Sequence, residues 1–81
     1  MNNEDIDRKV KGIIENVLNV SSDVVSDELA IGDIPEWDSV ANVKLLQSLE
    51  EAFSVEIDVI DALDAEDVFD FCKLIRSYTT N

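Results

Sequence analysis

The 81-residue sequence contains no histidine, one cysteine and six basic residues against 19 acidic ones. Without histidine, neither a Ser-His nor a Cys-His nucleophile can be activated, and the usual zinc ligand sets cannot be assembled around Cys72 alone. The carboxylates form no recognisable catalytic arrangement beyond their number. The sequence therefore predicts a protein that is not an enzyme and has no metal site.

Positive charge is scarce, and the formal net charge is −13. Such a chain cannot neutralise phosphates by releasing counterions, so we expect basic protein surfaces rather than nucleic acid as partners. No apolar run approaches 18 residues, and the amino terminus is acidic where a secretory signal would be basic and then apolar. We therefore expect no membrane insertion and a soluble, cytoplasmic protein, in agreement with the single unpaired thiol.

Glycine and proline are also rare: there are two glycines and one proline, and Gly32 and Pro35 lie close together. Much of the chain is therefore free to be helical. The apolar content of 46% is too high for a disordered acidic tail, and the length allows one domain, over residues 1–81. These properties predict a single, largely helical domain.

Two long helices are predicted from apolar residues that recur at helical spacing. The first covers residues 4–18 and the second residues 39–52. In the second helix, Val40 and Leu45 flank the expected apolar stripe. The stripe consists of Val43, Leu46, Leu49 and Phe53.

Residues 19–37 connect these helices as a long loop, in which residues 22–27 could form a short helical turn. Loops of this length are uncommon in compact domains unless they are functional. We expect three apolar residues to dock the loop onto the core: Val24, Leu29 and Ile31.

The last third of the chain is predicted to hold a short helix and a longer one. Residues 55–60 alternate poorly and have no partner strand elsewhere, so we expect a loop leading into a helical turn at residues 59–63. The final helix begins at an N-cap formed either by Asp64 with Asp67 or by Asp67 with Asp70. Its apolar face comprises Val68, Phe69, Cys72, Ile75 and Tyr78. The predicted fold class is all-α: a small bundle of three main helices and one short helix.

Ser39 stands at the start of the second helix, directly after Asp38. A helix N-terminus has unsatisfied N–H donors and a positive dipole end, so it suits an anionic group such as a phosphodiester attached to the serine. Alternatively, Asp38 or Ser39 merely caps the helix. Local chemistry leaves both interpretations open.

The run Asp38-Ser39-Val40 is followed at a fixed distance by the run Leu49-Glu50-Glu51-Ala52-Phe53. Together with the size, the helix order and the acidic balance, these runs make the sequence resemble the acyl carrier protein family over nearly the whole chain. The resemblance implies that Ser39 carries 4′-phosphopantetheine, which a separate phosphopantetheinyl transferase transfers from coenzyme A. Asp38 would help the transferase to recognise this site. An acyl or aminoacyl cargo would then be held as a thioester and delivered to partner enzymes.

The same resemblance implies a partner surface along the second helix. Val40, Val43 and Lys44 would flank the attached arm, and Glu50 and Glu51 match an acidic pair of the family. We expect these residues to meet loading and acyl-transferring enzymes that have basic docking surfaces.

Three residues depart from the family pattern. Trp37 replaces a glycine often found before the Asp-Ser pair, and it either anchors the loop or contacts a partner directly. Ala41 and Lys44 stand where fatty-acid carriers usually have acidic residues. The hypothesis that follows is a freestanding carrier in a specialised pathway of lipid or polyketide biosynthesis, with its own set of partners.

Two further residues are expected to line a cleft that shelters part of the cargo: Leu46 and Ile60. Cys72 is then a small core residue rather than the working thiol. We expect a monomer, because a carrier must expose its second helix to successive partners. The alternative function is an acidic protein-interaction domain that keeps a carrier-like fold but is never modified.

Overall fold

The computed structural model describes residues 2–79. Its first helix, α1, spans Asn3–Leu18, one residue longer at its start than predicted. The side chain of Asn2 caps it by accepting a hydrogen bond from the N–H of Asp5 at 2.9 Å, and Asn19 ends it in the left-handed conformation, with φ 57°. Four side chains at four-residue spacing are buried: Ile6, Val10, Ile14 and Leu18. α1 thus presents one continuous apolar face to the core.

The second helix, α2, spans Ser39–Phe53 and buries Leu45 and Leu49. The predicted stripe is confirmed for Leu49, and Leu46 and Phe53 pack partly buried against the core. The stripe is wrong at Val43, which is 55% exposed, and Leu45, expected to flank it, lies in the core. α2 carries apolar residues on two sides, and periodicity alone does not tell which side faces the other helices.

A short third helix, α3, spans Val59–Asp64 and has no buried residue. The fourth helix, α4, spans Val68–Thr79, and Asp67 caps it by accepting a hydrogen bond from the N–H of Asp70 at 2.8 Å. This confirms the second of the two predicted N-caps. The buried face of α4 consists of Val68, Phe71, Cys72 and Ile75.

Phe69 was predicted on this face but is 43% exposed, and Phe71 takes its place in the core. The two phenylalanines are two residues apart and therefore point to different sides of the helix. The packing of α4 against α1 decides which of them is buried.

The long loop between α1 and α2 is attached to the core and to the start of α4. Val25 and Leu29 are buried, while Val24 and Ile31 are partly buried against the core. The N–H of Ile31 donates to the carbonyl of Glu66 at 3.0 Å, and the N–H of Val68 donates to the carbonyl of Leu29 at 2.9 Å. The predicted docking is thus confirmed for Leu29 and, with partial burial, for Val24 and Ile31. Within the span considered for a short helical turn, residues 22–24 form a hydrogen-bonded turn.

Helix α1 packs against both α2 and α4, and α3 lies at the edge beside α4. This arrangement confirms the predicted all-α class with three main helices and one short helix. Within residues 2–79, no helix is both long enough and apolar enough to cross a bilayer.

Ion pairs reinforce the contact of α1 with its neighbours. Arg76 of α4 donates two hydrogen bonds to Asp7 of α1, and this contact holds the pKa of the guanidinium above its ordinary value. Lys11 lies 2.8 Å from Asp27 of the loop, and the hydrogen bond between them raises the pKa of the Lys11 ammonium. Both pairs cross between elements, so they connect α1 to α4 and to the loop.

Candidate functional site

The approach to Ser39 is a tight, hydrogen-bonded segment. Gly32 adopts a positive φ of 90°, a conformation that suits glycine, and its N–H donates to the carbonyl of Trp37 at 2.8 Å. The N–H of Trp37 donates to the carbonyl of Ile34 at 3.1 Å. Upstream, a carboxylate oxygen of Asp33 accepts a hydrogen bond from the N–H of Ala30 at 2.9 Å. The chain therefore enters α2 along a defined path.

Trp37 anchors this segment. Its side chain is fully buried, and its ring lies 6.0 Å from that of Phe71, tilted by 40°. The indole Nε1–H donates to Oδ1 of Asn42 at 3.1 Å, which connects the loop to the first turns of α2. Of the two roles considered for Trp37, the structure favours the anchor. The prediction that Trp37 contacts partners is wrong, because no part of its side chain is accessible. Asn42 was not among the predicted site residues. A buried indole N–H needs an acceptor, and an asparagine five residues after Trp37 is a candidate that the sequence shows.

Ser39 is the first residue of α2 and is exposed. Asp38 is the N-cap, and its Oδ1 accepts a hydrogen bond from the N–H of Ala41 at 2.8 Å. The N–H groups of Ser39 and Val40 find no acceptor within the described residues. An anion bonded to the Ser39 hydroxyl would thus lie beside two free donors and the positive end of the helix dipole.

The outer face of α2 continues from Ser39 as a mixed surface. Val40 is 65% exposed, and Val43, Lys44 and Glu51 are exposed as well. These four expected partner residues therefore share one accessible face of the helix.

Glu50 differs from these four residues because it is half-buried. One of its carboxylate oxygens accepts a hydrogen bond from the N–H of Ile57 at 2.9 Å. Glu50 thus fixes the connection between α2 and α3, a structural contact that the sequence interpretation did not anticipate.

A groove of about 340 Å³ lies between α2 and α3. Its apolar lining consists of Val43, Leu46, Ile57, Val59, Ala62 and Leu63. Leu46 is among the lining residues, as expected, but Ile60 is not: its side chain is 70% exposed outside the groove. The short helix presents Val59, Ala62 and Leu63 to α2, at the three-residue and four-residue spacing of one helix face.

The position of α3 also depends on Tyr78 of α4. The Tyr78 hydroxyl donates to Oδ2 of Asp61 at 2.7 Å and accepts a hydrogen bond from the N–H of Asp58 at 2.9 Å. The bond to Asp61 raises the pKa of Tyr78 above its ordinary value. Tyr78 was expected on the apolar face of α4, but its hydroxyl instead holds α3 at the edge of the groove.

Cys72 takes no part in this region. It is buried between α1 and α4, and burial raises the pKa of its thiol to about 11. At neutral pH the side chain is a neutral, enclosed thiol, a poor nucleophile. Among residues 2–79, no group of three or more acidic or cysteine side chains is arranged to hold a metal ion.

Comparison with known proteins finds relatives that match most of the chain. The acyl carrier protein of Thermosynechococcus vestitus is 36% identical over 74 residues, which cover 88% of this chain and 91% of that protein. This chain belongs to the acyl carrier protein family. The acyl carrier protein of Desulforapulum autotrophicum is 39% identical over 72 residues, covering 88% of this chain and 94% of the relative.

A further relative of this chain is part of a much larger protein. The non-reducing polyketide synthase AC of Didymella fabae is 29% identical over 68 residues, which cover 84% of this chain but 2% of the synthase. No protein-family profile matches the chain.

Proposed function

We propose that this acyl carrier protein family member is a single carrier domain that is modified on Ser39 with 4′-phosphopantetheine by a separate phosphopantetheinyl transferase. The observation that carries the proposal is the exposed Ser39 at the first position of α2, in a chain whose relatives are named acyl carrier proteins. A carrier needs no catalytic side chains of its own, so this function agrees with the absence of histidine.

The proposed modification needs an accessible hydroxyl. Ser39 Oγ would form the new bond to phosphorus, the pyrophosphate bond of coenzyme A would break, and adenosine 3′,5′-bisphosphate would leave. The hydroxyl proton would pass to a base of the transferase, since no basic side chain within residues 2–79 hydrogen-bonds to Ser39. When attached, the group supplies a terminal thiol that holds an acyl or aminoacyl cargo as a thioester.

The residues around Ser39 would then have separate tasks. Asp38 caps α2 and keeps its first turn intact for recognition by the transferase, and Trp37 fixes the approach from the loop. The phosphodiester would lie near the free N–H groups of Ser39 and Val40. The groove between α2 and α3 supports sheltering of the apolar part of a cargo, because its lining is mostly aliphatic.

Partner enzymes would meet Val40, Val43, Lys44 and the two glutamates of α2. With a net charge of −13, the carrier would attract basic docking surfaces at long range, so that association is fast and sensitive to salt. We further propose a cytoplasmic monomer that serves a specialised pathway of lipid or polyketide biosynthesis. The relative within a polyketide synthase supports this pathway class but does not identify the cargo.

Mass spectrometry tests the modification directly. The purified protein is incubated with coenzyme A and a promiscuous phosphopantetheinyl transferase, and we expect the wild type to gain the mass of one phosphopantetheine group. Ser39→Ala should gain nothing, whereas Ser48→Ala, a matched change on the same helix, should be modified like the wild type. A wild type that several competent transferases leave unmodified would refute the proposal and favour an unmodified acidic interaction domain.

A further inference from the structure

Lys44 differs from every other basic residue of this chain. The sequence has six basic residues, all within the described part of the chain. Five of them contact residues of the same chain through ion pairs, hydrogen bonds or an aromatic ring; they are Arg8, Lys9, Lys11, Lys73 and Arg76. Within residues 2–79, Lys44 makes no ion pair, hydrogen bond or ring contact.

The local sequence explains why Lys44 has no partner on its own helix. Side chains three and four residues apart are the ones that meet on a helix surface. At these positions around Lys44 stand Val40, Ala41, Gln47 and Ser48, none of which is charged. A chain with 19 acidic residues thus leaves one cation unpaired on the face that follows Ser39.

Lys44 lies close enough to Ser39 along α2 for one enzyme to contact both residues. It lies five residues further along α2, a rise of about 7.5 Å along the helix axis. A standard interface buries about 800 Å² on each partner, an area large enough to include Ser39, Lys44 and the exposed Val40 and Val43. Lys44 therefore belongs to the proposed partner surface, within reach of an enzyme bound at Ser39.

Charge complementarity then limits which enzymes fit. Acidic residues such as Glu36, Asp38 and Glu51 lie on both sides of Lys44 along the chain and are exposed, so they favour a basic partner. A basic side chain directly opposite Lys44 would instead be repelled and would be held close to another cation. A carboxylate at that point would pair with Lys44 and leave the surrounding attractions intact.

Resting on the proposed carrier function, we propose that Lys44 determines partner specificity by selecting enzymes with an acidic side chain opposite it within an otherwise basic docking surface. It thereby disfavours enzymes whose docking surface is basic throughout. Specificity of this kind combines an attractive contact with the right partner and a repulsive one with the wrong partner.

The test uses the apo protein and, as the probe, a phosphopantetheinyl transferase chosen for a docking surface that is basic throughout. We compare the wild type with Lys44→Glu and Arg8→Glu. Both variants change the net charge by the same amount, but Arg8 is an exposed residue of α1, paired only with Asp5 of its own helix. The measured quantity is kcat/KM for modification of Ser39, at low and high salt.

We expect Lys44→Glu to raise kcat/KM about 5-fold to 10-fold, mainly through KM, and the gain to shrink at high salt. Arg8→Glu should change kcat/KM less than about 2-fold. Equal effects of the two variants would show that only the overall charge matters and would overturn the proposal. An unmodified wild type, by contrast, would refute the carrier function itself, so the two failures are distinguishable.

A charge-swap series tests the acidic contact. Single Lys→Glu or Arg→Glu variants of the transferase docking surface are combined with the wild-type carrier and with Lys44→Glu. At one position, the preference should reverse, and the wild-type carrier should become the better substrate. Circular dichroism of Lys44→Glu and Lys44→Gln checks that both remain folded. A series in which no transferase variant prefers the wild type would contradict the proposal.

Discussion

Helix α4 buries four side chains in the core, whereas α3, which precedes it directly in the chain, buries none. The position of α3 depends on polar contacts supplied by other elements: the hydroxyl of Tyr78 bonds to Asp58 and Asp61, and the carboxylate of Glu50 bonds to Ile57 just before the helix. Burial of a large apolar side chain contributes about 1.5–3 kcal/mol, while a single hydrogen bond contributes about 1 kcal/mol net. The core therefore holds α4 more firmly than α3. Because α2 also buries Leu45 and Leu49, the groove has one firmly held wall, α2, and one weakly held wall, α3.

The largest expected difference between α4 and α3 is in the free energy of unfolding that is lost when one apolar side chain is removed from each helix. Phe71→Ala leaves a cavity beside Trp37 and should lower the free energy of unfolding by about 3–5 kcal/mol. Leu63→Ala removes a side chain that is 75% exposed and should change it by less than about 0.5 kcal/mol. Urea unfolding measures both, with Phe71→Leu as a milder change if the alanine variant does not fold. Similar losses for Phe71→Ala and Leu63→Ala would contradict the comparison.

Unfolding at alkaline pH tests the contribution of the buried Cys72 thiol of α4. The pKa of Cys72 is about 11 in the folded protein, above its ordinary value of 9.0, so the neutral thiol is favoured by the fold. This contribution is fully present below pH 9 and is lost as the pH rises through 11, a loss of roughly 2–3 kcal/mol in all. Urea unfolding at pH 8 to 11 should therefore show a shallower decline for Cys72→Ala than for the wild type. Parallel declines would show that the thiol does not titrate with unfolding.

The smallest effect is expected at the contact that holds α3. Tyr78→Phe removes both hydrogen bonds of the hydroxyl, so the amides of α3 should exchange with solvent several-fold faster, while core amides of α1 and α4 and the Tm stay nearly unchanged. Hydrogen exchange followed by NMR resolves the two regions. In the wild type, the raised pKa of Tyr78 means that its donated bond is fully present below pH 10 and is lost as the pH rises through that pKa. Uniformly faster exchange throughout the chain would indicate global destabilisation instead.

Local chemistry explains what could be predicted at the candidate site. The start of α2 was predicted at Ser39 because Asp38 is a good N-cap and the apolar period begins there. The start of α4 was narrowed to two caps for the same reason, and Asp67 proved to be the one used. Capping depends on a few neighbouring residues, so the sequence alone contains the necessary information.

Contacts between distant residues explain what could not be predicted. Whether Phe69 or Phe71 faces the core depends on how α4 is rotated against α1, and both positions are apolar. Likewise, Ile60 was predicted to line the groove, but Leu63 of the same short helix lines it instead. The bond between Tyr78 and Asp61 joins residues 17 positions apart, and no local pattern marks it.

By itself, the sequence determined the all-α class, the approximate extents of the helices, the acidic character and the position of Ser39 at the start of α2, because periodicity, capping and charge are properties of neighbouring residues. Only the tertiary structure decided that Trp37 is enclosed as an anchor, which wall of the groove is weakly held, and that Lys44 remains unpaired. Those outcomes depend on which surfaces meet when the helices pack, and side chains far apart in the chain compete for the same limited space in the core.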